Sequence, residues 1–277
     1  MSDYDLTYLS WGAGTQSTAM LVMSALGLHG VPRATVAVFS DTGDEPASVY
    51  DTLRFYKGWA EGHGIEVVVA SAGTLSTDAL AHTKGDRENY FGLPVFVHGS
   101  DGRPSMLRRK CTRDYKIDPL ERAVRTHLGY AKGERVKDRV RCLIGISSDE
   151  VVRMKPNPRP WITNDWPLVD ARLSRDDCIG FLERRGLPAA TKSSCVQCPF
   201  HSDYHWGQMK AEDPESFARA VAFDAAIRDQ EVAGVRSQVF LHRSLKPLGA
   251  VDFETWRDGT RSMFGGMNQE CEGMCGV

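Results

Sequence analysis

No apolar run in this 277-residue chain approaches the roughly 20 residues needed to cross a bilayer, which excludes a membrane-spanning helical protein. The start, Met-Ser-Asp-Tyr-Asp, lacks the basic segment and apolar stretch of a secretory signal, so a cytoplasmic protein is expected. Neither sign of charge is in excess. With 34 Lys and Arg against 36 Asp and Glu, the formal net charge is −2, which argues against general nucleic-acid binding but leaves room for a local basic patch. Internal repeats and low-complexity tracts are missing too. The seven cysteines are an odd number, and in a reducing compartment they do not form a structural disulfide framework. Packing, metal binding or redox chemistry must account for them.

What is present describes an ordinary globular protein, with 42% hydrophobic and 25% charged residues. Mostly apolar strands are expected near 5–10, 34–40, 65–70 and 139–146. Helical patterns fall at 16–28, 47–62, 117–128, 174–186 (Ser174 as N-cap, Gly186 as stop) and 214–230. Strands alternating with helices predict an α/β, Rossmann-like parallel sheet covered by helices on both faces. An irregular, helical, cysteine-bearing C-terminal region follows. The organisation expected is a nucleotide-binding domain over 1–170 and a C-terminal region over 171–277 that completes the site. Residues 83–107, rich in Gly and Pro, read as a long irregular loop, and Lys155 to Pro160 as another.

Ligands bind such sheets at the carboxyl ends of the strands. Three polar or glycine-bearing segments converge there: Ser10-Trp11-Gly12-Ala13-Gly14-Thr15-Gln16-Ser17, Asp41-Thr42-Gly43, and Gly145 to Glu150. The first is a strand, a glycine turn and a helix start, where outward N–H groups and the helix dipole favour an anion. It matches neither the Gly-x-x-x-x-Gly-Lys-Ser/Thr loop nor the Gly-x-Gly-x-x-Gly fingerprint, because it has no lysine and Ser at position 17. Asp41 reads either as a ribose, adenine or Mg²⁺ contact or as a turn former. Glu150, after Ser147 and Ser148, reads either as a nucleotide-side residue or as part of a helix cap.

The cysteines fall into two kinds. Cys142 in an apolar strand and Cys178 beside Ile179, Phe181 and Leu182 read as core. Cys195 and Cys198 form a Cys-x-x-Cys in a polar turn, a spacing that lets both thiolates face one metal. Cys111 sits among Arg109, Lys110 and Arg113, a basic setting expected to lower its pKa. Cys271 and Cys275 lie in a glycine-containing tail suited to a redox or sulfur-carrying thiol. With His201 and His205 nearby, zinc stays open beside an iron–sulfur cluster, since ligand type permits both. His201, Tyr204, His205 and Trp206 are expected to pack around the cysteine pair rather than bind metal.

Four stretches together resemble the adenine-nucleotide alpha-hydrolase (HUP) superfamily, in its N-type ATP pyrophosphatase and phosphoadenosine-phosphosulfate-reductase-like branch. Residues 10–17 resemble its pyrophosphate loop in a longer form lacking an aspartate. Phe39 to Glu45 is similar to its Asp-Thr-Gly segment, Arg109 to Ile117 to its central cysteine region, and Ser194 to Phe200 to its downstream cysteine pair. The 83 residues between Cys111 and Cys195 are similar to the gap between cluster cysteines in assimilatory adenylylsulfate reductases.

The resemblance implies ATP bound with Mg²⁺ by Ser10 to Ser17, Asp41, Thr42, Gly145 and Glu150. It implies a 4Fe-4S cluster on Cys111, Cys195 and Cys198, with Cys275 or Cys271 as fourth ligand or sulfur relay, and a catalytic role for Cys271 and Asp41. The implied reaction adenylates a substrate oxygen and replaces it with sulfur, on a nucleic acid or a small molecule. A cysteine desulfurase or another sulfur donor would be a partner, and a homodimer is a candidate assembly. Reduction of adenylyl sulfate or its 3′-phosphate is the alternative enzyme, and a zinc-stabilised nucleotide-binding module the alternative without turnover. Residues 101–125 carry eight basic against four acidic side chains. Arg108, Arg109 and Arg113 around Cys111, together with Arg153, are the expected contacts to an anionic substrate.

Overall fold

The computed structural model describes residues 3–81, 92–229 and 238–253. Its centre is a parallel sheet of β1 (Leu6–Trp11), β2 (Val36–Asp41), β3 (Glu66–Ser71), β6 (Val140–Ile144) and β7 (Ile162–Asp165), in the order β3-β2-β1-β6-β7. A small antiparallel sheet joins β4 (Phe96–His98), β5 (Pro104–Met106) and β8 (Val239–Phe240) in the order β5-β4-β8. The helices are α1 (Thr15–Leu26), α2 (Ala47–Gly62), α3 (Leu75–Ala81), α4 (Asp118–His127), α5 (Pro167–Asp170), α6 (Arg175–Glu183), α7 (Asp203–Glu212) and α8 (Pro214–Ile227).

Alternation along each strand sends side chains to two opposite cores, because successive residues of a strand face opposite ways. Leu9, Trp11, Ala37, Phe39 and Leu143 pack under residues of α1, α2 and α6. Tyr8, Val36, Val38, Val140, Cys142 and Ile144 pack with Leu120 and Val124 of α4. Both faces are therefore covered, as the apolar strands required. Cys142 and Cys178 are fully buried in these cores, as read from their neighbours. A further core gathers Leu75, Val95, Val97, Val196, Trp206, Phe223 and Val239. It joins chain segments on both sides of the sheet in sequence, so it was not legible as a local pattern.

Helix ends follow their side chains. Ser174 and Asp177 form a capping box on α6, and Gly186 takes a left-handed φ of 64° beyond its end. The long loop expected at 83–107 is corrected in part: residues 82–91 lie outside the described residues, while 96–98 and 104–106 pair as strands. Strand β7 and helices α3, α5 and α7 were not anticipated. No described helix is long and apolar enough to cross a membrane.

Asp224 of α8 is the buried tie of the C-terminal part. It accepts hydrogen bonds from the Leu241 N–H (2.8 Å) and the Leu248 N–H (2.9 Å) and pairs with Arg228. Asp224→Ala leaves these buried donors and the half-buried Arg228 guanidinium uncompensated, and should cost about 3–5 kcal/mol in urea denaturation.

Candidate functional site

The strand order reverses between β1 and β6, and the loops leaving those two strands flank a crevice at their carboxyl ends. A cleft opens there. Gly12, Gly14, Thr15, Gln16 and Ser17 line one side, and Gly145, Glu150 and Arg153 the adjacent one. The first turn of α1 carries no acidic residue, and its N-cap, Gly14, offers no side chain to the first N–H groups. Those donors are left to a ligand. Ala13 adopts a left-handed φ of 53° between the two glycines, a conformation uncommon outside Gly. Gly145 is required for contact: a Cβ there would stand 2.8 Å from the Cα and the N of Ser17. Gln16 donates to Glu150 Oε2 (3.3 Å), and Arg153 pairs with Glu150 Oε1 (2.8 Å). Glu150 thus binds across the cleft, and the alternative of a helix cap at this segment is not what forms: Glu150 precedes one 3-10 turn that no side chain caps.

The rest of the anticipated set is distributed differently. Ser10 and Trp11 are buried in β1, with Trp11 Nε1 donating to Thr18 Oγ1 (3.1 Å). Asp41 Oδ1 accepts from the Gly43 N–H and from the Tyr50 hydroxyl, each at 2.8 Å, so its carboxylate builds the turn after β2. Thr42 faces the cysteines, with Oγ1 3.2 Å from Cys195 Sγ. Arg108 and Arg113 are exposed, and Arg113 lies 3.8 Å from Asp118. Arg109 stacks over Phe200 at 5.3 Å. Cys271 and Cys275 lie outside the described residues.

Cys111, Cys195 and Cys198 line one mainly apolar cavity with Thr42, Arg109 and Lys116. Ser194, Cys198 and Phe200 line both this cavity and the cleft, so the two share a wall. All three thiols are free. Burial raises Cys111 to about 11, outweighing Arg109 and Lys116, so the lowered pKa expected from its basic neighbours is corrected. Burial likewise raises Cys195 and Cys198. Among the described residues, no three His, Cys, Asp or Glu side chains converge on a single ion. A cluster distributes its thiolates over several irons, so three cysteines around one cavity fit it as a donor set.

Beneath the cavity, Lys116 Nζ lies 3.4 Å from Glu45 Oε1, both nearly buried. Burial opposes the ammonium charge, but Glu45 and then the cysteines hold its pKa above the usual value. Glu45 Oε1 also lies 3.7 Å from Cys195 Sγ. His201 is buried, with Nε2 3.0 Å from the Cys195 carbonyl and its ring stacked on His205 at 4.4 Å. Burial pushes its pKa well down, so the ring is neutral and donates from Nε2. His201 and Trp206 pack by the pair as expected, whereas Tyr204 is exposed. Arg175, Lys192, Ser193 and Ser194 complete the cleft and were missed. Their signals were adjacency to the α6 cap and to Cys195.

No family model matches the sequence, and no curated protein does. Among solved structures, the chain is similar to the phosphoadenylyl-sulfate reductase from Candida auris in its phosphate complex, at 14% identity over 68% of this chain and 76% of that one, with a TM-score of 0.43. It is also similar to the U34-tRNA thiolase NcsA from Methanococcus maripaludis with its 4Fe-4S cluster, at 12% identity over 82% and 74%, with a TM-score of 0.42.

Two substitutions check this geometry. Lys116→Met strands the buried Glu45 and should cost about 3–5 kcal/mol in denaturant unfolding, and adding Glu45→Leu should recover much of the loss. Gly145→Ala should push the start of α1 away, lowering stability by about 1–3 kcal/mol and weakening phosphate binding by calorimetry.

Proposed function

We propose that the protein is an ATP-dependent enzyme that adenylates a substrate oxygen and exchanges it for sulfur, with an iron–sulfur cluster held by Cys111, Cys195 and Cys198. The observation that carries this reading is the shared wall: an anion-binding helix start and a three-cysteine cavity meet at Ser194, Cys198 and Phe200. In the first half-reaction the substrate oxygen attacks the α-phosphorus of ATP and pyrophosphate leaves. A sulfur nucleophile then displaces AMP. The N–H groups of the α1 start and Gln16 orient the phosphates, and positioned donors of this kind stabilise charge without reorganising. Glu150 supplies a carboxylate of the type Mg²⁺ takes. Neutral His201 holds the Cys195 carbonyl and keeps the turn between the two cysteines in place.

When bound, the cluster would offer inorganic sulfur at an iron that no cysteine holds. The apolar lining of the cavity excludes water from the sulfur. Cys271 or Cys275 is proposed as sulfur relay, a cysteine desulfurase or other donor as sulfur source, and tRNA, DNA or a small molecule as acceptor.

Anaerobic purification should yield a brown protein with broad visible absorbance, and Cys195→Ala should lose its iron while retaining ATP binding. Turnover with an acceptor should release AMP and pyrophosphate in equal amounts. A colourless protein with one zinc, or sulfite released from a sulfonucleotide, would overturn the assignment.

A further inference from the structure

Charge is spread unevenly along the chain. Residues 122–141 carry seven Lys and Arg against two Asp and Glu, while the whole chain is formally −2, so the remainder is net acidic. That stretch completes α4, crosses a loop and enters β6. A groove opens there, lined by Arg125, Arg135, Lys137, Arg139 and Trp161. Arg139 immediately precedes β6 and Trp161 immediately precedes β7, so the groove lies at the amino ends of these strands, the sheet edge opposite the cleft. The five residues of β6 put roughly 15 Å between the two edges.

The loop that carries the cations is tied down at several points. Arg125 Nη2 donates to the carbonyls of Ala131 (2.8 Å) and Glu134, and the Lys137 N–H donates to Tyr130 Oη (3.1 Å). The Arg139 N–H donates to Asp5 Oδ2 (2.7 Å), and the Val140 N–H to the Trp161 carbonyl (2.9 Å). Val136 and Val140 are buried, whereas Arg135, Lys137 and Arg139 are exposed. Burial of the valines thus turns three cations outward, and all three line the same groove. The Arg139 guanidinium lies over the Tyr4 ring at 5.4 Å, held by an aromatic face rather than by a carboxylate. Glu134 and Asp138 are the acidic members of the lining, and Glu134 Oε2 accepts from the Ala131 N–H (3.0 Å). Among the described residues, neither pairs with Arg135, Lys137 or Arg139.

A small anion is held by donors that converge on a point. Here the cations are strung along a loop at every second residue, with an indole beside them, which is the pattern that suits a linear polyanion bearing bases. We infer that this groove binds the sugar–phosphate backbone of a single-stranded nucleic acid. Arg135, Lys137 and Arg139 meet successive phosphates, and Trp161 supplies a surface of the kind on which bases stack. The groove is separate from the cleft, and its binding does not depend on the adenylation reading. Joined to that reading, it selects a nucleic acid over a small molecule as the acceptor.

The test is fluorescence anisotropy of a labelled 20-nucleotide RNA, and of DNA of the same sequence, with the full chain at several salt concentrations. Binding of either probe should weaken with salt, with a log–log slope of about −2, from three phosphate contacts at roughly 0.7 each. Arg135→Glu combined with Lys137→Glu should weaken binding at least about tenfold and make the slope shallower by about 1.4, because two contacts are lost. Arg135→Lys with Lys137→Arg should keep most of the affinity, which separates charge from misfolding. Arg54→Glu with Lys246→Glu makes the same change in net charge at exposed sites elsewhere and should leave binding within about twofold. Wild-type protein that binds neither probe, binding indifferent to salt, or equal losses in the two double reversals would overturn the groove. Failure of ATP to bind the wild type would count against adenylation alone, since the probes report the groove without nucleotide.

Discussion

The buried pair of Lys116 and Glu45 is the interaction on which the site's assembly depends. Glu45 ends the turn after β2, and Lys116 sits in a π turn, Arg113–Ile117, that links Cys111 to α4. The Ser40 hydroxyl donates to the Lys116 carbonyl at 2.9 Å, and the Asp44 carbonyl, next to Glu45, accepts from the Val196 N–H between the two cysteines. Three segments far apart in sequence are thereby pinned around one charge. Removing two charges from water is costly, and the pair repays that cost only while both partners are present. The cavity that Cys111, Cys195 and Cys198 share exists because this pair sets the distance between their segments.

The parallel sheet supplies the second constraint. With β1 flanked by β2 and β6, the loops after β1 and β6 open on the same edge, and the loop after β2 opens beside them. The first two make the cleft, and the third turns toward the cysteines. Gly145 lets the end of β6 touch the start of α1, and Gly14 lets Ser193 lie close on the loop. Close backbone approach at two glycines therefore fixes the width of the cleft, and any side chain there would widen it.

Much of this was legible. The four strands and five helices with strong local patterns lie within a few residues of their expected places, and the Ser174 cap and Gly186 stop follow from local chemistry alone. β7 was missed because Pro-rich residues 155–160 precede a strand of four residues, too short to show alternation. α7 was missed because its buried Trp206, Gly207 and Met209 are not spaced as a conventional apolar face; they are held by the core beneath the cysteines. The loop after β1 was legible from its glycines, but Arg175 and Lys192 were not, since adjacency to a helix cap and to Cys195 does not by itself place a side chain at a cleft.

Sequence by itself determined the α/β class, the glycine-bearing helix start after β1, and the separation of the packed Cys142 and Cys178 from Cys111, Cys195 and Cys198, which line one cavity. Each of these follows from residue type and short-range spacing. Tertiary structure alone decided the protonation preference of Cys111, where burial overrides the basic neighbours that sequence displays. It also engaged Asp41 Oδ1 in the turn after β2, turned Thr42 toward Cys195, and laid residues 190–194 against a loop without lysine. These properties depend on desolvation and on contacts between segments up to about 175 residues apart, such as that of Thr15 with Ala190, which no local pattern encodes.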